Sequence, residues 1–281
     1  MLVSAQIDAH LHELAPAERR VAAVVADDPE AVAFGTVADV ARRAGASGAT
    51  VVRLAAKLGY DGFVELQSAV REEMTRRLRP ASERIRRPAA GDVLGTALAV
   101  EMANVAATLE GVDRAAFAAA VGLLSRPRTE RVLVLSGDAS SGVAALFAAE
   151  LSMLRPGVVL VTGSEVRVAR LLADAGAADT VVAIDLARYD RAVLDAVGRA
   201  VAAGAQLVAL TDSALSPLAS AAAVSFTAAV TGAGPFDSHV GLLALANALL
   251  AGVAARRRRS ATDRLDRVES AWRRAAVLTD G

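Results

Sequence analysis

Four basic side chains lie close together in the first quarter of the chain, in a stretch without an acidic residue. They are Arg42, Arg43, Arg53 and Lys57. Between them lie the small residues Ser47, Gly48 and Thr50. Guanidinium, ammonium and hydroxyl groups contact nucleic-acid phosphates, and a guanidinium also pairs with guanine in the major groove. These residue types suit contact with a polyanion, although the solvated face of a helical bundle has the same composition.

The surrounding sequence predicts two helices joined by a tight turn. Thr36 and Ser47 are favourable N-cap residues, and Gly45 and Gly59 are favourable at helix ends. Helical spacing predicts a buried face formed by Val37, Val40, Ala41, Val51, Leu54, Ala55 and Leu58. The exposed face of the second helix is then expected to carry Ser47, Gly48, Thr50, Arg53 and Lys57. Periodicity leaves two interpretations open: a helix-turn-helix that enters a DNA groove, or a helical hairpin in a bundle.

A second candidate site is the stretch "SGDASSG", from Ser136 to Gly142, which follows the apolar run "RVLVLS". Where a strand ends and a helix begins, free backbone N–H groups and the helix dipole favour an anion. Ser140 and Ser141 add hydroxyl donors. The alternative interpretation is an ordinary turn of small residues, and Asp138 would place a negative charge near a bound anion.

The pattern of hydrophobic residues divides the chain into two parts. Residues 7–79 predict four to five short helices without a strand. After residue 92, a helical stretch is followed by four β-branched runs and a weaker fifth one; they begin at Arg131, Gly157, Thr180, Gln206 and Ala223. Helical patterns separate the first four runs, which predicts a parallel sheet with helices on both faces. Residues 80–92, rich in arginine and proline, predict a linker.

Composition restricts the classes of protein. The chain has 281 residues, of which 54% are hydrophobic and 3% aromatic, and its formal net charge is zero, so any nucleic-acid contact must be local. The absence of cysteine excludes disulfides, cysteine-ligated zinc and a cysteine nucleophile. The N-terminus has no signal-peptide pattern, and the apolar run from Gly241 to Ala255 is shorter than the roughly 20 residues of a membrane span. A cytoplasmic protein without cofactor, metal or membrane partner is expected.

The segment from Leu14 to Val70, with "PAERRVA" and "ATVVRLAAKLGYDGF", resembles the N-terminal domain of the RpiR (MurR/RpiR) family of bacterial transcriptional regulators. The resemblance implies DNA binding through Ser47, Gly48, Thr50, Arg53, Lys57, Arg42 and Arg43. It departs at Gly48, where the family has a bulkier, often polar residue. A single recognition helix covers few base pairs, so a homodimer or homotetramer on a palindromic operator is expected. Linker arginines such as Arg84, Arg86 and Arg87 are candidates for additional phosphate contacts.

RpiR-like regulators carry a C-terminal SIS domain that binds phosphorylated sugars, and "VLVLSGDASSGVAALFAAEL", "TDS" and "SPLA" resemble it. The resemblance implies a ligand site formed by Ser136, Gly137, Ser140, Ser141, Arg188, Asp212 and Ser213. The family's second phosphate loop is rich in Ser, Gly and Thr, whereas "DLARYDRAVL" has no serine or threonine. Arg188 is there either an anion ligand or a solvated loop residue.

The expectation is therefore an all-α helix-turn-helix domain (residues 1–79), a linker (80–92) and a doubly wound α/β domain of the SIS type with a C-terminal helix (93–281). The implied function is a transcriptional regulator whose SIS domain senses a phosphorylated sugar or related metabolite. Two alternatives are a SIS-type sugar-phosphate isomerase and a SIS domain that only dimerises. An isomerase needs an acid/base pair, for which His239, Glu150 and Glu165 are the candidates in this half of the chain. Catalysis is not expected, because the phosphate loop is altered and the DNA-binding domain implies another purpose.

Overall fold

The computed structural model describes residues 3–78, 81–86, 91–126, 130–214 and 216–277. The chain forms two compact units. The first comprises Met1–Leu98, Ser213–Ser216 and Gly232–Asp237, and the second comprises Ala99–Asp212, Pro217–Thr231 and Ser238–Gly281. Of the predicted linker, residues 80 and 87–90, including Arg87, lie outside the described residues. Within it, Ala81–Arg84 is a single helical turn, and Arg84 pairs with Asp237 at 2.7 Å.

Helices form the N-terminal part of the chain. They are α1 (Val3–His10), a 3₁₀ turn (Leu11–Glu13), α2 (Pro16–Asp27), α3 (Pro29–Phe34), α4 (Val37–Arg43), α5 (Gly48–Lys57), α6 (Phe63–Leu78) and α7 (Ala81–Arg84). The structure has more short helices than the four to five predicted. Asp28 ends α2 and also begins α3, because its carboxylate accepts a hydrogen bond from the Ala31 N–H and Pro29 suits the first helical position.

Capping residues define the two helices of interest. The hydroxyl of Thr36 accepts the Asp39 N–H at 3.2 Å, and the Asp39 carboxylate accepts the Thr36 N–H at 3.0 Å. This reciprocal pair begins α4. Gly45 has φ 55°, which glycine adopts without steric cost, and allows the chain to turn into α5. Val51, Leu54, Ala55 and Leu58 are buried in the helical core, as predicted.

The second part of the chain alternates strands and helices. After α8 (Val93–Glu110) and α9 (Arg114–Leu124) come β1 (Val132–Ser136), a 3₁₀ turn (Asp138–Ser140), α10 (Ser141–Leu154), β2 (Val158–Leu160), α11 (Glu165–Leu172), β3 (Thr180–Ile184), α12 (Arg191–Ala202), β4 (Gln206–Thr211), α13 (Pro217–Ala221), β5 (Val224–Thr227), α14 (Val240–Arg256) and α15 (Arg258–Ala275).

The strands form one parallel sheet in the order β2-β1-β3-β4-β5, with Leu133 opposite both Val159 and Val181. One face packs on α9, α10 and α14, and the other on α11, α12 and α13. The predicted doubly wound sheet is confirmed. The connection after β1 leads to β2 on one side and the connection after β3 leads to β4 on the other, so the loops after β1 and β3 meet at a topological switch point, where such folds bind ligands.

Among the described residues, α8 alone is a single helix with the length and apolar composition of a membrane span. Helices α14 and α15 reach that composition only as a pair bent by 103°. Helix α14 lies in the core of the second unit, whereas only 11% of α8 is buried. Packing within the chain therefore does not account for the apolar composition of α8.

Candidate functional site

The candidate DNA-contacting surface is built around the start of α5. Ser47 caps this helix: its hydroxyl accepts the Thr50 N–H at 3.3 Å and lies 2.9 Å from the Thr50 hydroxyl. Ser47, Arg53 and Lys57 are exposed, and Gly48 is partly exposed. Gly48 packs closely on α4, because a Cβ at this position would lie 3.2 Å from a methyl group of Val37. The bulkier family residue would therefore press on α4.

Thr50 is a correction to the expected exposed face. Its side chain is only 4% exposed, because position 50 lies one turn before the buried Leu54 on the same side of the helix. The Thr50 hydroxyl accepts a hydrogen bond from Arg53 Nη2 at 3.1 Å. Thr50 is thus placed to hold the Arg53 guanidinium rather than to protrude from the surface.

Acidic residues outside the basic stretch neutralise most of its charge. Arg42 pairs with Asp39 at 2.5 Å, Arg43 pairs with Asp28, and Lys57 Nζ donates to Glu18 Oε2 at 2.7 Å. Within the part of the chain that the structure describes, Arg53 has no ion pair, although it is close enough to lower the pKa of Glu18. Arg53 is consequently the cation of α5 that is available to a ligand.

The Glu18–Lys57 pair joins the beginning of α2 to the end of α5. Glu18 is buried, and its carboxylate also accepts the Ala15 N–H at 2.9 Å. The hydrogen bond from Lys57, followed by the one from Ala15, holds the pKa of Glu18 below its usual value. The pair fixes the angle of α5 in the helical core, so Lys57 has a structural role in addition to any contact with DNA.

We expect this pair to make the fold sensitive to acid. The folded-state pKa of Glu18 is depressed, so its stabilisation is complete above the ordinary value of about 4.5 and is lost as the pH falls through the lower folded-state value. Thermal unfolding followed by circular dichroism at a series of pH values measures this loss. Glu18→Gln keeps the shape but does not ionise, and it should show a shallower fall below pH 4.5. Equal pH dependence of the two proteins would contradict the prediction.

A cleft of about 310 Å³ opens at the carboxyl ends of β1 and β2, beside α11 and α12. Its polar lining consists of Ser136, Asp138, Ser141, Thr162, Glu165, Asp190, Asp195 and Arg199. Two of the predicted ligand residues, Ser136 and Ser141, line it. The lining thus holds four carboxylic acids and one guanidinium group.

The other predicted ligand residues lie outside this lining. Gly137 lies against the Asp185 carboxylate, and the buried Ser140 hydroxyl is 3.3 Å from His239 Nε2. Asp212 accepts a hydrogen bond from the Tyr189 hydroxyl at 2.7 Å. Arg188 and Ser213 differ in exposure: Arg188 is exposed, whereas Ser213 is buried after β4.

The loop between β3 and α12 has an unusual conformation. Arg188 has φ 69°, a left-handed conformation that favours glycine. Asp185, at the end of β3, is 4% exposed, and burial raises the pKa of its carboxyl group. Sequence reasoning missed Asp185 and Tyr189 as site residues, although an aspartate directly after an apolar strand was visible in "VVAID". The described residues contain no group of three His, Asp or Glu side chains arranged to hold a metal.

Comparison with known proteins agrees with both halves of this architecture. Residues 1–77 match the helix-turn-helix domain of the rpiR family, and residues 127–252 match the SIS domain. The sugar isomerase domain of an RpiR transcription factor from Sphaerobacter thermophilus is 31% identical over 63% of this chain and 97% of that chain, with a TM-score of 0.57. The chain belongs to the RpiR family of transcriptional regulators. The resemblance stated from the sequence is confirmed.

A second similarity covers the full length of the chain. The NanR protein of Vibrio vulnificus, complexed with ManNAc-6P, matches 99% of this chain and 100% of that chain, with a TM-score of 0.60 and 20% identity. At this identity the similarity concerns the fold. None of the curated proteins matches the chain.

Proposed function

We propose that this RpiR-family regulator binds duplex DNA through α5 and that a carbohydrate-derived metabolite, bound in the cleft of the SIS domain, alters this binding. The observation that carries the proposal is Arg53, which is exposed on a helix that follows a tight turn and has no ion pair with any residue that the structure describes. Its guanidinium is held by Thr50 in a position to reach a base edge or a phosphate. Arg42 and Arg43 flank it and could exchange their carboxylate partners for phosphates.

The cleft supports the sensing half of the proposal. It opens at the carboxyl ends of the strands beside the switch point, where doubly wound folds bind ligands. Its volume of about 310 Å³ is in the range of small-molecule pockets. The lining contains no histidine, and His239 instead contacts Ser140. The DNA-binding domain fused to the SIS domain supports a regulator over an isomerase.

Dimerisation is proposed to occur through α8. Two polar residues of this helix are buried within the second unit: Asn104 donates to the Thr231 carbonyl at 2.8 Å, and the Thr108 hydroxyl accepts the Ala229 N–H at 2.9 Å. Leu94, Leu98 and Met102, at intervals of four residues, are exposed. The exposed side of α8 is therefore apolar. Exposed apolar patches of this kind commonly mark a contact with a partner. A palindromic operator needs two recognition helices, and a second copy of the chain would supply the second one.

Charged residues on this face are expected to dissociate the assembly. The wild type should have at least twice the 28.7 kDa mass of the chain by light scattering after size-exclusion chromatography. Leu98→Glu with Met102→Glu should lower that mass, because four buried charges at a two-fold contact repel each other. Val166→Glu, on the exposed face of α11, is the matched control and should leave the mass unchanged. A monomeric wild type, or an unchanged mass in the double variant, would contradict the proposal.

The function is tested by fluorescence anisotropy on labelled DNA from upstream of the chain's own gene, with unrelated DNA as competitor. The proposal predicts binding that unrelated DNA displaces poorly and that weakens steeply with salt. A panel of sugars and sugar derivatives is then added, and one class should change the affinity. Equal displacement by both DNAs would show that the chain does not read this sequence. Turnover of a sugar derivative without DNA would favour the isomerase alternative.

A further inference from the structure

The carboxylate of Asp185 lies where the loops after β1 and β3 meet. Its Oδ1 accepts the Leu186 N–H at 2.9 Å, and its Oδ2 accepts the Asp190 N–H at 2.7 Å. On the other side it lies against the first loop, since a Cβ built on Gly137 would fall 2.2 Å from Oδ1. The two backbone N–H groups therefore already have an anionic partner from within the chain, the Asp185 carboxylate, and the loop between β3 and α12 closes around it.

This position has the features that bind anions in α/β folds. Backbone N–H groups at the start of a helix, beside the switch point, attract phosphates and carboxylates. Here α12 begins directly after the loop, and the left-handed conformation of Arg188 folds the loop so that the Asp190 N–H points back at Asp185. Both N–H groups are already occupied. The cleft adjoins this point. Two of its lining residues, Ser136 and Asp138, flank Gly137 in sequence, and a third, Asp190, donates its N–H to Asp185.

The surrounding charges reinforce the effect of this occupancy. Asp138 and Asp190 line the adjoining cleft, and Asp212 lies close enough to Asp185 for its charge to act on it. Burial, with the neighbouring carboxylates, raises the pKa of Asp185, so the site already disfavours the negative charge that it holds. A phosphate dianion brought to the same place would meet this repulsion and would find no free N–H group from Leu186 or Asp190.

We propose that Asp185 is a specificity-determining residue, whose carboxylate occupies the anion position between β1 and β3 and excludes a ligand's phosphate group from it. The effector of this regulator is then a carbohydrate derivative without a phosphate at that position. The inference rests on the proposed function in one respect, that the cleft receives the effector. It narrows the ligand class that the resemblance implied.

The test is a calorimetric titration of the full chain with inorganic phosphate and with glucose 6-phosphate. Wild type should bind both only weakly, and its affinity is the reference for the variants. Asp185→Ser, which removes the carboxylate and frees the two N–H groups, should gain at least tenfold in affinity for one of them. Asp190→Asn is the matched control: it removes a negative charge from the same loop but leaves Asp185 in place, and it should gain less than threefold.

Two outcomes would overturn the inference. In the first, wild type binds either phosphate compound as tightly as Asp185→Ser does. In the second, the affinity for phosphate rises no more in Asp185→Ser than in Asp190→Asn. Asp185→Asn removes the charge and sets an amide NH2 against one of the two N–H groups, so it should gain affinity in the same direction as Asp185→Ser but by less, and it takes the place of the serine variant if that variant does not fold. DNA binding measured on the same samples separates the two proposals, because loss of DNA binding refutes the regulator without affecting the phosphate result.

Discussion

Replacing Arg53 with alanine is expected to lower the affinity for the operator about 5- to 150-fold, which corresponds to about 1–3 kcal/mol. Arg53 is exposed on α5 and, among the described residues, has only the Thr50 hydroxyl as a hydrogen-bond partner. Its removal breaks no ion pair and opens no cavity, so folding stability should be unchanged. Anisotropy titration on the upstream DNA, together with thermal unfolding, measures both quantities.

Two further variants make this prediction specific. Arg170→Ala removes the same charge from the exposed surface of α11 and should leave DNA affinity within about twofold. Lys57→Ala should differ from Arg53→Ala by lowering stability as well, because it leaves the buried Glu18 carboxylate without its partner. If Arg53→Ala weakened binding no more than Arg170→Ala, α5 would not be the helix that reads this DNA.

Replacing Arg155 with methionine is expected to lower the free energy of unfolding of the SIS domain by about 3–5 kcal/mol. The Arg155 side chain is 0% exposed. It donates to the carbonyls of Leu124 at 2.9 Å, Pro156 at 3.0 Å and Glu130. It therefore joins the end of α10, where it lies, to the end of α9 and to the approach to β1. Methionine fills much of the volume but leaves these buried carbonyls without their donor.

Urea unfolding monitored by Trp272 fluorescence measures this effect, because the chain has a single tryptophan and it lies in α15 of the second unit. Arg170→Met, an exposed arginine in the same unit, is the matched control and should cost less than about 0.5 kcal/mol. Arg155→Lys keeps the charge but not the planar fork, so its loss should fall between the two. Equal stability of Arg155→Met and Arg170→Met would show that the buried arginine contributes nothing beyond its volume.

Local signals predicted much of the fold. Thr36, Ser47 and Gly45 act on their own helix ends, so their roles as caps and turn residues could be predicted from their types alone. The apolar period predicted the buried positions of α5, and the β-branched runs predicted the strands of the sheet. Thr50 was predicted on the exposed face but is buried. A hydroxyl in the first turn of a helix is compatible with either position, so its type alone could not decide.

Pairings between distant residues could not be predicted. Lys57 and Glu18 are 39 positions apart, so the basic stretch looked free of acids until the fold brought Glu18 to it. From the sequence, an arginine at a helix end such as Arg155 is expected to be solvated. Only the tertiary structure shows that three carbonyls converge on it. The sequence showed that the loop after β3 lacks serine and threonine, but not that Asp185 turns back to fill its anion position.

The central claim is that two copies of α5 read a DNA sequence, and DNase I footprinting of the full chain on its own upstream region tests it most directly. The account predicts two protected half-sites of inverted sequence, with centres about 34 Å apart or at a multiple of that spacing on one face of the duplex. Protection with Arg53→Ala should require a protein concentration about 5- to 150-fold higher than with wild type, whereas Arg170→Ala should protect at nearly the wild-type concentration. A single isolated site, or protection by Arg53→Ala at the wild-type concentration, would contradict the account.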